Sequence, residues 1–462
     1  MVLSPPVSGM INLASALRAT KYCCLAFVGA GGKSSAMFQV AEELSPPVIL
    51  AVTTHLAISQ TSLADRWVVA QAASDLPEAG VISGLRVLFT GPQDHLEKVG
   101  GVSSGVLERI RHLAADLNCQ LLVEADGSRQ LPLKAPAEHE PVIPPFSDLV
   151  VVVAGLSGLG KPLDEMWVHR PERYARLSGL ERGQTITVEA IAKVLLHPLG
   201  GMRNIPTGAR KVALLNQADA PHLQAQAKKL AGMLLEKFDA VLVARLRTGT
   251  DPDNASSGDS QPNGVLAVHQ RIGGVVLAAG GARRYGAPKL LLPWKGEAIV
   301  RQVVKTALSA GLSPVVVVAG EQIEEIRDAV SDLDVKLVQN PDWESGQSSS
   351  VKAGIGAIPA NAGGCIFMLG DQPRIPPALV SALVEKHAAS LSPLVAPLVD
   401  GQRGNPVLFD RETFPDFLTL SGDAGGRLLF ARYPVEWVPW HDAGVLLDVD
   451  TPQDYQRLKD AA

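Results

Sequence analysis

Residues 273–296 read GGVVLAAGGARRYGAPKLLLPWKG. A short valine-rich run enters a glycine pair, Gly280 and Gly281, followed by two arginines, Gly286 and Lys289. Apolar residues without polar alternation mark a strand buried on both faces. Glycines let backbone N–H groups approach phosphate oxygens closely, and Arg284 and Lys289 are placed to neutralise a polyphosphate. A helix-start turn with solvated charges reads equally well from this loop taken by itself. Its surroundings decide between the two.

Outward from this stretch, runs of the same kind recur at 24–28, 48–52, 121–124, 149–153 and 211–216, and again at 314–319, 364–369 and 392–397. Longer helical patterns separate them. Strands buried on both faces need helices above and below a mostly parallel sheet, so the fold class is α/β. The one composition break is TGTDPDNASSGDSQPNG at 248–264, polar and without apolar periodicity. It divides the chain into an N-terminal α/β domain at 1–247, a linker at 248–271 and a C-terminal Rossmann-like domain at 272–462. Lysine and arginine balance aspartate and glutamate at 25 each through residue 271; beyond it they stand at 17 against 22, so the whole net charge of −5 lies in the second domain.

That balance excludes a strongly basic nucleic-acid or membrane footprint. Cys23, Cys24, Cys119 and Cys365 have no CxxC spacing, which argues against a disulfide framework or a cysteine zinc site. No run of about 18 uninterrupted apolar residues is present to span a bilayer, and the N-terminus lacks the pattern of a signal peptide. A soluble cytoplasmic protein with neither nucleic-acid nor membrane partners is expected.

Further acidic groups gather at strand ends in the second domain. CIFMLGDQPRIPP, 365–377, ends a buried run in Gly370-Asp371, and GVLLDVDTPQDYQRL supplies Asp448 and Asp450. Carboxylates are natural Mg²⁺ ligands, and aspartate also serves as a turn or cap residue. Alternation places Asp448 and Asp450 on one side of an extended segment, while Asp450 also reads as the cap of the last helix. With Arg284 and Lys289, these groups make packing alone a poor explanation.

The set resembles the molybdenum cofactor nucleotidyltransferases, and most closely their cytidylyltransferase branch. The family pattern LAAGxSxRxGxxK is matched by Leu277, Ala278, Ala279, Gly280, Arg284, Gly286 and Lys289, with Ala282 where the family has a hydroxyl residue. NPDWESGQSSSVKAG (340–354), GDQP, GNPVLF (404–409), GDAGGRLLF (422–430) and DVDTPQDY (448–455) follow in order. The resemblance implies transfer of CMP from CTP to the terminal phosphate of Mo-molybdopterin with release of pyrophosphate. It further implies Mg²⁺ on Asp371 and on Asp448 or Asp450, and Arg284 and Lys289 on the phosphates. Nucleotide or pterin contacts would fall to the glycine turn, Gly281 included, and to Ser349, Ser350 and Asn405. LAAG accompanies CTP in this family and LAGG accompanies GTP; the alanine methyl would leave less room beside the base.

In the first domain, CCLAFVGAGGKSSAMFQVAEEL (23–44) is a strand, a glycine turn and a helix, with Gly31, Gly32, Lys33 and Ser34 in phosphate-loop order. Phe27 stands where the full pattern has glycine, so a plain strand-to-helix turn is also open. Glu124 and Asp126 follow another strand, Asp126 as a candidate Mg²⁺ ligand, and Asn216 and Asp219 follow a third in a base-reading arrangement with Gln217 replacing lysine. GAGGKSS, VTTH (52–55), EADGSRQLPLKAPAEHEPVIP (124–144), VHRPE (168–172) and LNQAD resemble the YqeC-type accessory proteins of selenium-dependent molybdenum hydroxylases. This implies a nucleotide-binding accessory domain and an apo-molybdenum hydroxylase as a recipient. His55, His139 and His169 read as metal ligands or as polar loop residues. GLSGLGKP, 155–162, ends in proline where a phosphate loop needs a hydroxyl and reads as a turn. Two further readings stand beside the cytidylyltransferase: a nucleotidyltransferase for a sugar or polyol phosphate, and a nucleotide-gated cofactor chaperone.

Overall fold

The computed structural model describes residues 10–94, 97–246, 263–280, 285 and 288–460. It divides into two compact units, residues 1–269 and 270–462. Gly281, Ala282, Arg284, Gly286 and most of the expected linker lie outside the described residues.

The first unit is a nine-stranded sheet. Its strands are β1 (Cys24–Gly29), β2 (Val48–Val52), β3 (Arg66–Val69), β4 (Arg86–Thr90), β5 (Gln120–Glu124), β6 (Leu149–Gly155), β7 (Arg210–Asn216), β8 (Ala240–Arg245) and β9 (Gly264–Gln270), in spatial order 9-8-7-6-1-5-2-4-3. Pairing is parallel from β7 through β3 and between β7 and β8. Every residue of β2, β5 and β6 is buried, the polar ends Gln120 and Glu124 of β5 included. The helix Lys33–Glu43 covers the sheet with Ala36, Met37, Val40 and Ala41. From β1 the chain runs to β2 on one side, while β6 leads to β7 and β8 on the other. The crevice beside β1 and β6 is therefore the switch point of a doubly wound sheet, where ligands bind beyond the carboxyl ends of the strands.

The boundary at 248–271 is corrected by β9. Residues 264–270, expected in the linker, are a strand of the first sheet, and Val265 bridges Ile11 through two backbone hydrogen bonds of 3.1 and 3.2 Å.

The second unit is an eight-stranded sheet of β10 (Ile272–Ala278), β11 (Val315–Ala319), β12 (Lys336–Gln339), β13 (Gly364–Leu369), β14 (Leu394–Val399), β15 (Gln402–Arg403), β16 (Val407–Asp410) and β17 (Val435–Trp440). The order is 12-11-10-13-16-14-15, with β17 on β14. Strands β12 through β13 are parallel; β16 enters antiparallel and makes the sheet mixed. The amphipathic helix Ile299–Ser309 buries Ile299, Val300, Val303, Val304 and Ala307, a helical stripe facing the sheet. Among the described residues no helix is long and apolar enough to cross a membrane, and all four cysteines are free.

Candidate active site

In the second unit, β10 and β13 pair in register from Ile272↔Gly364 to Leu277↔Leu369, and the Gly370 N–H donates to Leu277 O at 3.0 Å. Asp371 therefore sits directly beyond the end of the central strand pair. Lys289 comes from a short 3-10 turn, Lys289–Leu291. Its Nζ donates to Asp371 Oδ2 at 2.6 Å and to Asp450 Oδ1 at 2.7 Å. The backbone holds the third partner in place, because Val449 N–H donates to Asp371 O at 3.1 Å. Burial opposes the charge on Lys289, but Asp371 and Asp450 outweigh it and raise its pKa.

Asp448 takes a different partner. Gln372 Nε2 donates to Asp448 Oδ1. Partial burial raises the Asp448 pKa against this donation, and the neighbouring Asp371 and Asp450 add to the rise. Asp450 is not the cap of the last helix. Thr451 and Asp454 cap it reciprocally: Thr451 N–H donates to Asp454 Oδ2 at 3.0 Å and Asp454 N–H donates to Thr451 Oγ1 at 3.2 Å. The Asp450 carboxylate accepts from Lys289. Among the described residues no group of three or more His, Cys, Asp or Glu converges as a metal site; Asp371 and Asp450 share an ammonium instead.

Leu277 and Ala278 lie in β10, and Gly280 is exposed at its end. A Cβ at Gly280 would meet nothing within 4 Å, and its φ is outside the left-handed region. Among the described residues no packing requires glycine there. Ala279 is 7% exposed and belongs to the core cluster with Val318 and Val351, so the expected crowding of a base by its methyl finds no support in the packing. Ser349 and Ser350 begin the helix Gln347–Ala357, where Asn340 Nδ2 donates to their hydroxyls at 2.8 and 2.9 Å. Ser349 also donates to Gly346 O at 2.8 Å. These contacts give both serines a part in fixing the turn. Asn405 is half-buried at a cis Asn405–Pro406 bond.

The first unit's turn is closed from within. Gly29, Gly31 and Gly32 all have positive φ, and a Cβ at each would lie 2.1 Å from Val153 O, 2.5 Å from Gly155 and 2.3 Å from Asn216 Nδ2 respectively. Lys33 is buried; its Nζ donates to Gly29 O at 2.9 Å and Ser128 Oγ at 3.1 Å, and pairs with Asp126 at 3.3 Å. Ser34 Oγ donates to Glu124 Oε2 at 2.7 Å.

Asp126, expected as a Mg²⁺ ligand, is 1% exposed and accepts from Gly29 N–H through both oxygens and from Lys134 Nζ at 2.7 Å. Its geometry is that of an anchor for the turn. Asn216 has a comparable role: Nδ2 donates to Gly31 O at 2.8 Å and Oδ1 accepts from Leu246 N–H at 2.8 Å. An amide held at both ends is not available to read a base, and Gln217 is engaged by Ser157 at 2.6 Å. Asp219 lies in the loop just beyond β7.

Sequence reasoning missed the continuation of this network. Lys134 also reaches Gly127 O at 2.7 Å and Glu140 at 3.1 Å, and Arg170 grips Glu140 with two bonds of 2.8 and 3.0 Å. Burial alone would raise the Glu140 pKa, but Arg170 and Lys134 bring it down to about 2. His169 is lowered to about 4 by burial and by the charges of Arg170, Lys134 and Arg129. His55 and His139 are exposed. GLSGLGKP forms a turn containing the 3-10 segment Leu156–Gly158.

The comparisons follow this division. Residues 25–172 match the model described as YqeC protein, and residues 274–437 match the MobA-like NTP transferase domain. The chain is similar to the YqeC protein of Escherichia coli (strain K12), 34% identical over 46% of this chain and 81% of that one. It is 34% identical to nicotine blue oxidoreductase of Paenarthrobacter nicotinovorans, over 40% of this chain and 96% of the relative. It is 26% identical to molybdenum cofactor cytidylyltransferase of Escherichia coli (strain K12), over 40% of this chain and 94% of the relative. With a strand-end lysine–aspartate site in the second unit and an internally braced glycine turn in the first, the chain belongs to the MobA-like NTP transferase family, as a nucleotidyltransferase that carries a YqeC domain ahead of its transferase domain.

Proposed function

We propose that the second unit transfers CMP from CTP to the terminal phosphate of Mo-molybdopterin. The observation that carries the reading is Lys289, held by Asp371 and Asp450 at the carboxyl end of β10 and β13, near a glycine over which none of the described residues packs. In the reaction an oxygen of the acceptor phosphate bonds to the α-phosphorus of CTP, the bridging α–β P–O bond breaks, and pyrophosphate leaves with the electron pair. Such a transfer needs positioning and charge stabilisation more than covalent chemistry.

Lys289 supplies positive charge to the triphosphate and to the departing pyrophosphate. A glycine at 280 lets phosphate oxygens approach the backbone closely. Two carboxylates, Asp371 and Asp450, meet one ammonium here, and carboxylate oxygens suit a hard divalent cation. Asp371 and Asp450 would hold Mg²⁺, with Asp448 steadied by Gln372. The ion's contribution when bound is neutralisation of phosphate charge. Arg284 is proposed to act with Lys289. Cytidine is favoured by the LAAG pattern and by the name of the Escherichia coli cytidylyltransferase, and an apo-molybdenum hydroxylase is the proposed recipient.

The deciding experiment measures pyrophosphate release with CTP, GTP and ATP in the presence of Mo-molybdopterin. Release with CTP above the other nucleotides is expected. No release with any nucleotide overturns the reading; preference for GTP overturns the choice of base.

A further inference from the structure

The site of the second unit is assembled from parts of the chain that are anchored differently. Asp371 follows β13, whose Ile366 and Met368 lie in a main core of the unit. Around Lys289 and Asp450 the packing is a separate, small apolar cluster of Trp294, Ile299, Val449 and Leu458. Val449 directly precedes Asp450, and Trp294 belongs to the hairpin of Pro293–Trp294 with Glu297–Ala298 that follows the Lys289 turn. The helix Pro452–Asp460 brings little apolar surface to this cluster. Among its residues only Leu458 is buried, and a helix of that length is marginal in water without tertiary support.

Tyr455 adds a polar tie. It packs against the cluster three residues before Leu458, on the same face of the helix, and its hydroxyl donates to Pro293 O at 2.6 Å. A second contact joins the same two stretches of chain, Lys289 Nζ to Asp450 Oδ1 at 2.7 Å. Residues 289–293 and 450–455, linked at both ends, therefore form a closed ring. Neither Tyr455 nor Leu458 belongs to the two main cores of the unit, so the ring can open while the sheet stays folded.

We propose that Tyr455 is a positioning residue: by holding the helix Pro452–Asp460 to the hairpin after Lys289, its hydroxyl keeps Asp450 on the Lys289 ammonium. The reason lies in what such a pair costs. The Asp450 side chain is 43% exposed, and an ion pair open to water gains little once two side chains have been ordered and the charges screened. Fixing the backbone on both sides beforehand removes part of that cost. The phenol suits the task because a rigid ring spans the gap with two side-chain torsions and ends on a backbone carbonyl. It acts through Asp450. The consequence for turnover rests on the transferase reading above; the coupling between the two contacts does not.

The test is hydrogen–deuterium exchange of the full chain in four forms: unchanged, Tyr455→Phe, Asp450→Ala and the double variant. Tyr455→Phe removes only the hydroxyl and should accelerate exchange in peptides from 447–460 about fivefold, leaving peptides from β10 and β13 as they were. Asp450→Ala should act on the same peptides by about the same factor. The double variant should go no further than either single one, because the two contacts close one ring. Unchanged exchange in Tyr455→Phe, acceleration throughout the unit, or factors that multiply in the double variant overturns the proposal. Pyrophosphate release from CTP with Mo-molybdopterin is read alongside, and Tyr455→Phe should lower kcat/KM about fivefold. An unchanged kcat/KM overturns the positioning role. If the unchanged chain releases no pyrophosphate, the transferase reading has failed, and the exchange cycle still decides whether Tyr455 and Asp450 act as one.

Discussion

The turn after β1 and the turn after β10 both run from a buried strand through glycine to a lysine that meets aspartate. In the first, Lys33 follows the strand by four residues, is buried, and finds Gly29 O, Ser128 and Asp126 around it. In the second, Lys289 follows by eleven residues and meets Asp371 and Asp450, whose side chains are 20% and 43% exposed. The glycines differ in the same sense. Gly31 and Gly32 are demanded by the backbone and by neighbours closer than 3 Å, whereas a Cβ at Gly280 would meet none of the described residues within 4 Å. A glycine–lysine motif thus occurs in two settings that only the surroundings separate: the first turn is held from within by Asp126 and Asn216, while among the described residues nothing packs over Gly280.

The contrast can be broken by substitution. Asp371→Ala should carry the largest effect, a loss of about a thousandfold in pyrophosphate release with the thermal midpoint nearly unchanged; an active variant would place the chemistry elsewhere. The two lysines should then part company. Lys33→Ala leaves Asp126 buried beside one fewer cation and should cost about 3–5 kcal/mol in denaturant unfolding, while Lys289→Ala, in a more open pair, should cost under about 1 kcal/mol and lower turnover about a hundredfold. Equal stability losses would erase the distinction. If the first unit also binds nucleotide through its turn, Lys33→Ala in the full chain should weaken that binding as well.

Gly280→Ala sharpens the comparison further. It should reduce kcat/KM about tenfold by intruding on the ligand without moving the melting point, whereas Gly31→Ala should destabilise the fold. The smallest effect concerns pH. The folded His169 resists a proton that the unfolded chain accepts, so stability falls as pH drops from 6.5 toward 4. Glu140 acts in the same direction between pH 4.5 and 2, because its folded-state pKa lies near 2. Urea midpoints across this range should slope downward on acidification, and Glu140→Gln should flatten the lower limb.

Much of this was legible in the chain. Strands buried on both faces announce themselves as unbroken apolar runs, so β1, β2, β5, β6, β7, β10, β11, β13 and β14 fall within a few residues of expectation. Edge and mixed strands do not. β17 reads VEWVPW and is at most half-buried, and β12 is KLVQ with exposed ends; neither carries a continuous apolar signal. Buried AVLVAR of β8 carried that signal and went unread. At the site, Lys289, Asp371 and Asp450 were legible because strand ends and glycine turns have fixed places in such sheets. Lys134, Glu140 and Arg170 were not, because a proline-rich loop and a distant helix bring them together without any periodic pattern. The sequence likewise does not reveal that Asn340 donates to the hydroxyls of Ser349 and Ser350 and so ties them to the turn after Gly346.

One strand bears on how the chain can be cut and how it is made. β9 follows the polar segment yet belongs to the sheet that precedes it, and it meets the N-terminal Ile11 at Val265. A fragment ending at residue 247 would leave β8 as an open, apolar edge available to other chains; one extended through residue 270 closes it. On the ribosome the same strand delays completion of the first sheet until the polar segment has already been synthesised, so the order of manufacture and the order of architecture part at this joint.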